Sequence, residues 1–166
     1  MSWKILISAC LLGQPVRYDG KANDSKVRTF QQQLLQWQQQ GRVIGACPEV
    51  AGGLPTPRPA AEIRDGRVIT CDGDDVSEAF YQGAKKTLAL ALAQQHRVVA
   101  ALMAARSPSC GSQQIYNGEF NGTLIAGMGV TVELLEANQI RCFSPETFPQ
   151  LMDYLRHVAD HDGTPP

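Results

Sequence analysis

The sequence predicts an α/β fold, with a mostly parallel, Rossmann-like sheet between two layers of helices and small β-hairpin excursions. Two patterns carry this prediction. Short apolar runs alternate with amphipathic stretches, which is typical of strand–helix–strand units. Two segments outside this alternation surround Asp-Gly or Asn-Gly pairs, which favour tight hairpin turns. The 166-residue chain shows no linker, repeat or shift in composition, so we expect a single three-layer domain over residues 1–166.

Four apolar runs predict the strands of the main sheet. Residues 4–10, 42–47 and 97–104 are almost continuously apolar, as expected of strands that are buried on both faces. Residues 140–143 predict a shorter fourth strand.

The stretches around these strands have apolar residues at helical spacing. Residues 27–40 place seven glutamines on the face opposite their apolar side chains. Residues 131–137 predict another helix, and Ser144-Pro145 predicts the start of the last one. Between residues 27–40 and residues 131–137, Asp75 is predicted to cap one more helix. The inward residues of that helix are predicted to be Val76, Phe80, Ala84, Leu88 and Leu92.

Two hairpins are predicted outside the strand–helix alternation. Residues 63–70 alternate around Asp65-Gly66, and residues 114–120 alternate around Asn117-Gly118. Both dipeptides readily adopt the positive φ angles that two-residue hairpin turns require.

Composition and charge exclude several classes of protein. The chain has 15 basic and 16 acidic residues, and this net charge of −1 offers no electrostatic footprint for a large nucleic acid or an anionic membrane. The longest apolar run, residues 98–105, is far shorter than the roughly 20 residues that span a bilayer. The apolar stretch before Cys10 is too short for a secretory signal. We therefore expect a cytoplasmic protein without a membrane partner.

Three cysteines share one sequence context. Cys10 and Cys47 end the first two apolar runs, and Cys110 follows the third, each beside Gly or Pro. In an open parallel sheet, ligands bind beyond the carboxyl ends of the strands. We therefore expect these three thiols to meet in one crevice. Cys142 alternates like a strand residue and Cys71 follows a hairpin, so both are predicted to lie outside that crevice.

Three converging thiolates are compatible with several chemistries. Zinc accepts three cysteines plus an open position, whereas an iron–sulfur cluster with three cysteines would leave one iron without a protein ligand. Purely thiol-based catalysis would want a base, usually histidine, near the nucleophile. The three histidines lie away from the strand ends; they are His96, His157 and His161. Glu49, two residues after Cys47, is placed either to activate water beside a metal site or to lie in a surface loop without a catalytic role.

Other loops carry weaker signals. Residues 17–20 and 55–59 follow Cys10 and Cys47 and are placed to line the same crevice or to form plain turns. Gly127-Met128-Gly129 is reminiscent of a dinucleotide loop, but it follows no clear first strand and lacks the acidic partner at the usual distance. We interpret it as a backbone turn.

Four separated motifs resemble the thiouracil desulfidase family. They are residues 8–13 (SACLLG) with 17–20 (RYDG), 47–49 (CPE) with 52–55 (GGLP) and 57–58 (PR), 107–111 (SPSCG), and 74–76 (DDV) with 127–130 (GMGV). They occur in the family's order and cover most of the chain.

The resemblance implies a function and a set of site residues. The family holds a 4Fe-4S cluster with three cysteines, which correspond here to Cys10, Cys47 and Cys110. The iron without a protein ligand would bind the sulfur of a thiolated pyrimidine such as 2-thiouracil. Glu49 would activate water or shuttle protons, and Ser107 would hydrogen-bond the substrate or move a proton. Sulfide and the carbonyl product would leave without net electron transfer.

Ser109 is a weaker candidate for substrate binding. One departure from the family pattern is that residues 102–106 (LMAAR) lack a lysine that we expect before Ser107 in many relatives. Two alternatives to a desulfidase stay open. A zinc hydrolase or deaminase with three cysteine ligands would be colourless and hold zinc, and a non-catalytic iron–sulfur or sulfur-transfer module would hold a cluster without releasing sulfide from thiouracil.

Overall fold

Four parallel strands form the main sheet of the computed structural model, which describes residues 3–93 and 97–162. The order across this sheet is β2-β1-β5-β8, and β3-β4 and β6-β7 form separate two-stranded antiparallel sheets. The strands are β1 (Lys4–Ser8), β2 (Val43–Ala46), β3 (Ala61–Arg64), β4 (Arg67–Thr70), β5 (Val98–Leu102), β6 (Gln114–Tyr116), β7 (Leu124–Ala126) and β8 (Arg141–Phe143). The predicted mostly parallel α/β architecture with hairpin excursions is confirmed. His96 and the side chain of His161 lie outside the described part of the chain.

Five α-helices accompany the main sheet within residues 3–93 and 97–162. They are α1 (Gln31–Gln39), α2 (Pro48–Ala51), α3 (Ser77–Leu92), α4 (Val130–Ala137) and α5 (Phe148–Asp162). Right-handed crossovers that lead to opposite sides of β1 place their helices on opposite faces of the sheet. The crossover through α1 leads to β2, on one side of β1, whereas the crossovers through α3 and α4 lead to β5 and β8, on the other side. The helices α3 and α4 therefore share the face opposite α1, and they pack against each other. Phe30, just before α1, stacks on Phe148 of α5 with ring centroids 3.7 Å apart.

Strand register aligns the carboxyl ends of the central strands. Ser8 at the end of β1 pairs with Ala46 at the end of β2, and Ile7 pairs with Leu102 at the end of β5. Ile5, Leu6 and Ile7 are fully buried, as expected of a strand that is covered on both faces. Loops that follow these three strands therefore emerge at one edge of the sheet.

Two helix predictions need correction. The segment predicted as a helix over residues 27–40 begins as a 3-10 helix, Asp24–Phe30, and continues as α1. In α3 the predicted inward residue Leu92 is 62% exposed, whereas Phe80 and Ala84 are buried. Successive steps of four residues advance about 40° around a helix with 3.6 residues per turn, so the sixteenth residue after Val76 has rotated off the buried face.

The first predicted hairpin is confirmed and the second is wrong. Asp65 and Gly66 join β3 to β4 with φ angles of 50° and 76°. Asn117 and Gly118 do not close a hairpin, because β6 pairs with β7 across a longer loop. Gly118 instead docks on the first hairpin, where its N–H donates to Glu62 at 3.0 Å.

Among residues 3–93 and 97–162, every helix is too short or too polar to cross a membrane.

Candidate functional site

Three cysteines line one cavity at the carboxyl edge of the main sheet. Cys10 lies in the 3-10 turn Ala9–Leu12 that directly follows β1, and Cys47 lies between β2 and α2. Cys110 lies in the loop after β5. The cavity has a volume of about 540 Å³ and lies where the crossovers from β1 and β5 diverge, which is the point at which open α/β sheets bind ligands.

The thiols of this cavity are close enough to influence one another. Burial first and the neighbouring Cys47 second raise the pKa of Cys10 to about 11, against the lowering effect of Arg17. Burial also raises the pKa of Cys110 to about 12, although hydrogen bonding with Ser109 and Ser8 acts to lower it. At neutral pH both groups are therefore protonated thiols in the metal-free protein, and a bound cation is needed to make them thiolates.

A hydroxyl group organises the loop that carries Cys110. Ser107 Oγ accepts hydrogen bonds from the backbone N–H groups of Ser109 at 3.1 Å and Cys110 at 2.9 Å. The carbonyl of Ser107 accepts from Gly111 N at 2.9 Å. Because these bonds satisfy the polar backbone locally, the loop turns without neighbouring strands and directs the Cys110 side chain into the cavity.

Gly129, just before α4, supports the same loop. A Cβ atom on Gly129 would lie 2.4 Å from the carbonyl carbon of Ser109 and 2.7 Å from the backbone nitrogen of Cys110. The N–H of Thr131, in the first turn of α4, donates to the carbonyl of Ser109 at 3.0 Å. The segment 127–129 is an irregular connection between β7 and α4, and it packs directly against the cysteine loop.

Both carboxylate oxygens of Glu49 are held in place. Glu49 lies in the first turn of α2, and its Oε1 accepts from Arg58 Nε at 3.0 Å. Its Oε2 accepts from Ser109 Oγ at 2.7 Å, and Ser109 Oγ lies 2.9 Å from Ser107 Oγ. Since Ser109 donates its proton to Glu49, the hydrogen bond between the two serines takes its proton from Ser107. A chain of hydrogen bonds therefore runs from Ser107 through Ser109 to Glu49.

The two loops with weaker signals contribute to the cavity wall. Arg17, Tyr18 and Arg58 all line it, so residues 17–20 and 55–59 are more than plain turns. The role of Arg58 as the partner of Glu49 was missed from the sequence. Its only signal there was its place in the Pro57-Arg58 motif, which gives no spacing rule for a contact with Glu49.

A cation lies directly before Ser107 despite the missing lysine. Arg106 lines the cavity, has a φ angle of 66° and forms an ion pair with Glu146 at the rim. The positive charge at this strand end is thus supplied by arginine and is balanced by a carboxylate.

The remaining cysteines and the described histidine lie away from the cavity. Cys71 is exposed in the turn after β4. Cys142 is half-buried in β8, its thiol donates to the carbonyl of Ile140, and burial raises its pKa. His157 lies on α5 and does not line the cavity.

A family model and a solved structure identify the family of this chain. The model of the 2-thiouracil desulfurase family matches residues 5–147. The chain is 39% identical over 151 residues to a protein named YbbK and described as uncharacterised, from Bacillus subtilis (strain 168), and this similarity covers 84% of the chain and 94% of YbbK. The solved structure of TudS, a [4Fe-4S]-dependent thiouracil desulfidase, superimposes with a TM-score of 0.82 at 46% identity and covers 93% of this chain and 98% of TudS. The chain belongs to the 2-thiouracil desulfurase family of enzymes.

Proposed function

We propose that this protein is a [4Fe-4S]-dependent desulfidase that replaces the sulfur of a thiolated pyrimidine, such as 2-thiouracil, with oxygen from water. Membership of the 2-thiouracil desulfurase family and the similarity to TudS support the general activity. The observation that carries the proposal is the convergence of three thiols and the Glu49 carboxylate on one cavity. We also propose a cytoplasmic location, because thiols stay reduced in the cytosol.

The donor set fits an iron–sulfur cluster. Cys10, Cys47 and Cys110 supply three soft sulfur ligands, which suit iron–sulfur clusters as well as zinc. Among the described residues, no three His, Cys, Asp or Glu side chains lie close enough together to hold a single metal ion. The thiols nevertheless interact electrostatically, Cys10 with both Cys47 and Cys110. Because each cysteine of a 4Fe-4S cluster binds a different iron, a cluster does not require the three thiols to meet around one ion, as a zinc site does.

Cys10, Cys47 and Cys110 would hold the cluster as thiolates. Held by these three cysteines, a 4Fe-4S cluster would leave one iron without a protein ligand, and that iron would supply a Lewis acid for soft sulfur. The protein's own residues must then bring water to the thiocarbonyl carbon and manage its protons.

Glu49 would take a proton from the attacking water. The balance of the reaction is a C=S bond plus H2O giving a C=O bond plus H2S, with no oxidant or reductant. One proton leaves the water as its oxygen bonds to carbon, and the second leaves as the carbonyl forms. Both protons must be accepted and passed to the departing sulfide. A fixed carboxylate that lines the cavity is suited to this general acid–base work.

Ser107 would pass protons through Ser109 rather than bind substrate directly. Its oxygen already accepts two backbone hydrogen bonds, and its proton is directed to Ser109, which in turn donates to Glu49. This arrangement supports a relay between the cysteine loop and Glu49.

The substrate would be a small molecule. A cavity of about 540 Å³ is in the range of roughly 300–1,000 Å³ typical of small-molecule sites. Each of its three arginines pairs with a carboxylate, Arg17 with Asp19, Arg58 with Glu49 and Arg106 with Glu146. The lining also includes one further charge of each sign, Lys26 and Glu62. A cavity wall whose positive charges are neutralised by carboxylates suits a neutral heterocycle better than a polyanion.

The test is metal and product analysis after anaerobic purification and cluster reconstitution. The proposal predicts brown protein with about four irons per chain and sulfide release from 2-thiouracil. Colourless protein with stoichiometric zinc would support a zinc hydrolase or deaminase instead. Brown protein that releases no sulfide from any thiolated pyrimidine would support a sulfur-transfer module.

A pair of cysteine variants tests the ligand assignment. Cys47→Ser removes a proposed ligand, and we expect it to lower iron content and abolish sulfide release. Cys71→Ser makes the same substitution at an exposed cysteine outside the cavity and is expected to retain both. Equal iron content and activity in the two variants would contradict the assignment.

A further inference from the structure

A buried arginine forms the outer support of the catalytic carboxylate. The Arg58 side chain is only 5% exposed, and the Glu49 side chain with which it pairs is 15% exposed. Arg58 Nε donates to Glu49 Oε1 at 3.0 Å. Because a buried charge without a partner is very unfavourable, each member of this pair requires the other.

The remaining donors of Arg58 fix the guanidinium to the backbone. Nη1 donates to the carbonyl of Pro55 at 3.0 Å and to Thr56 Oγ1 at 3.1 Å. Nη2 donates to the carbonyl of Val16 at 2.9 Å. Four contacts therefore set the plane of the guanidinium, and an arginine held in this way presents its Nε–H in one direction only.

Glu49 is thus held from two sides by separate loops. Arg58 approaches Oε1 from the loop between α2 and β3, and Ser109 approaches Oε2 from the loop after β5. Rotation of the carboxylate would break at least one of these two bonds. The side chain of Glu49 therefore keeps one orientation towards the cavity before substrate arrives.

We propose that Arg58 is a positioning residue for the reaction, which acts by fixing the direction of the Glu49 carboxylate. This inference rests on the proposed function of Glu49 as the group that takes a proton from water. General-base catalysis depends on placing the accepting oxygen within hydrogen-bond reach of the water, and misplacement by about 1 Å costs about 100-fold in rate. Arg58 itself touches neither water nor substrate in this account.

A purely structural role for Arg58 is the competing explanation. The Val16 carbonyl accepts a hydrogen bond from Arg58, and it also accepts one from the Cys47 thiol, whose sulfur lies 3.8 Å away. Loss of Arg58 could therefore disturb a proposed cluster ligand rather than Glu49. Iron content and coupling to Glu49 separate these two roles.

The test uses two substitutions of Arg58 and one matched control. Arg58→Lys keeps the positive charge and most of the buried aliphatic part of the side chain but loses the planar guanidinium group. Arg58→Gln removes the charge. Arg67→Lys is the control, because Arg67 also pairs with a carboxylate, Asp75, but is exposed and does not line the cavity.

The first readout needs no cluster. In metal-free protein labelled with 13C at glutamate carboxyl groups, the Glu49 signal is identified by its loss in Glu49→Gln. We expect Arg58→Lys and Arg58→Gln to shift this signal and Arg67→Lys to leave it unchanged. An unmoved Glu49 signal in a folded Arg58 variant would overturn the positioning role.

The second readout is a double-variant cycle in the reconstituted enzyme, with rates expressed per bound cluster. We expect Arg58→Lys to lower kcat about 100-fold, with KM for 2-thiouracil within about twofold of wild type. In the Glu49→Gln background, the same substitution should lower the residual kcat little further. A full 100-fold loss in that background, or unchanged kcat in Arg58→Lys, would overturn the inference. Absence of sulfide release by wild-type enzyme would instead refute the proposed function, and the carboxyl signal would still decide whether Arg58 orients Glu49.

Discussion

Replacing Gly129 by alanine should disturb the Cys110 loop by steric contact alone. The backbone at Gly129 has φ −67° and ψ 161°, which alanine adopts without strain. The added Cβ would lie 2.4 Å from the carbonyl carbon of Ser109. Carbon atoms in contact prefer about 3.5 Å or more, so the loop or the start of α4 must move by about 1 Å.

The size of this effect follows from known costs of overpacking. An added methyl group in a close-packed site destabilises by about 1–3 kcal/mol, and reduced freedom of the unfolded chain offsets about 0.4–1 kcal/mol of this. For Gly129→Ala we therefore expect a net loss of about 1–2 kcal/mol, or about 2–8 °C in Tm. Metal sites tolerate ligand displacements of only about 0.2 Å, so iron binding should weaken as well.

Gly127→Ala is the matched control for Gly129→Ala. Its Cβ would meet only the side chain of Ile115, at 3.1 Å, and that side chain can adjust by a few tenths of an ångström. The assays are thermal unfolding of metal-free protein and iron retention against a chelator after reconstitution. Wild-type Tm and iron retention in Gly129→Ala would refute the claim that this contact fixes the Cys110 loop.

Three further predictions concern the thiols and the hydrogen-bonded chain. Because burial raises the pKa of Cys10 to about 11 and of Cys110 to about 12, the folded metal-free protein binds more protons than the unfolded chain above the ordinary thiol value of 9.0. Its stability should therefore fall as pH rises from about 9 to 12, and Cys110→Ala should reduce that slope in denaturant titrations at several pH values. Ser109→Ala removes the donor to Glu49 Oε2 and should lower kcat about 10- to 100-fold in steady-state assays, in line with the roughly 1.5–3 kcal/mol of a hydrogen bond to a charged group; unchanged kcat would exclude Ser109 from the relay. Alkylation of metal-free protein at pH 8 should modify the exposed Cys71 well before Cys10 or Cys110, and mass spectrometry of the modified peptides would show equal rates if burial does not protect the two cavity thiols.

The positions of the three cavity cysteines could be predicted because they depend on a general property of parallel sheets. Apolar runs identified β1, β2 and β5, and the carboxyl ends of neighbouring parallel strands meet at one edge. No knowledge of side-chain contacts was needed to expect Cys10, Cys47 and Cys110 in one crevice.

Contacts between loops were not predictable in the same way. Glu49 comes from α2 and Arg58 and Ser109 come from two separate loops, and no periodic pattern links their positions in the sequence. The Asn117-Gly118 pair gave a clear signal that was wrong. Its local preference for a hairpin turn was overridden by packing. Gly118 lies against the backbone of Ile63, where a side chain would not fit.

The most direct test of the account is the source of the oxygen in the product. Reconstituted enzyme is incubated anaerobically with 2-thiouracil in water enriched in 18O, and uracil and sulfide are quantified together. Hydrolysis at this site predicts one 18O atom in each uracil formed and one sulfide released per uracil, both dependent on Cys47 and Glu49. Sulfide release without 18O in the product, or uracil formation at the wild-type rate after loss of Glu49, would contradict hydrolysis at this site.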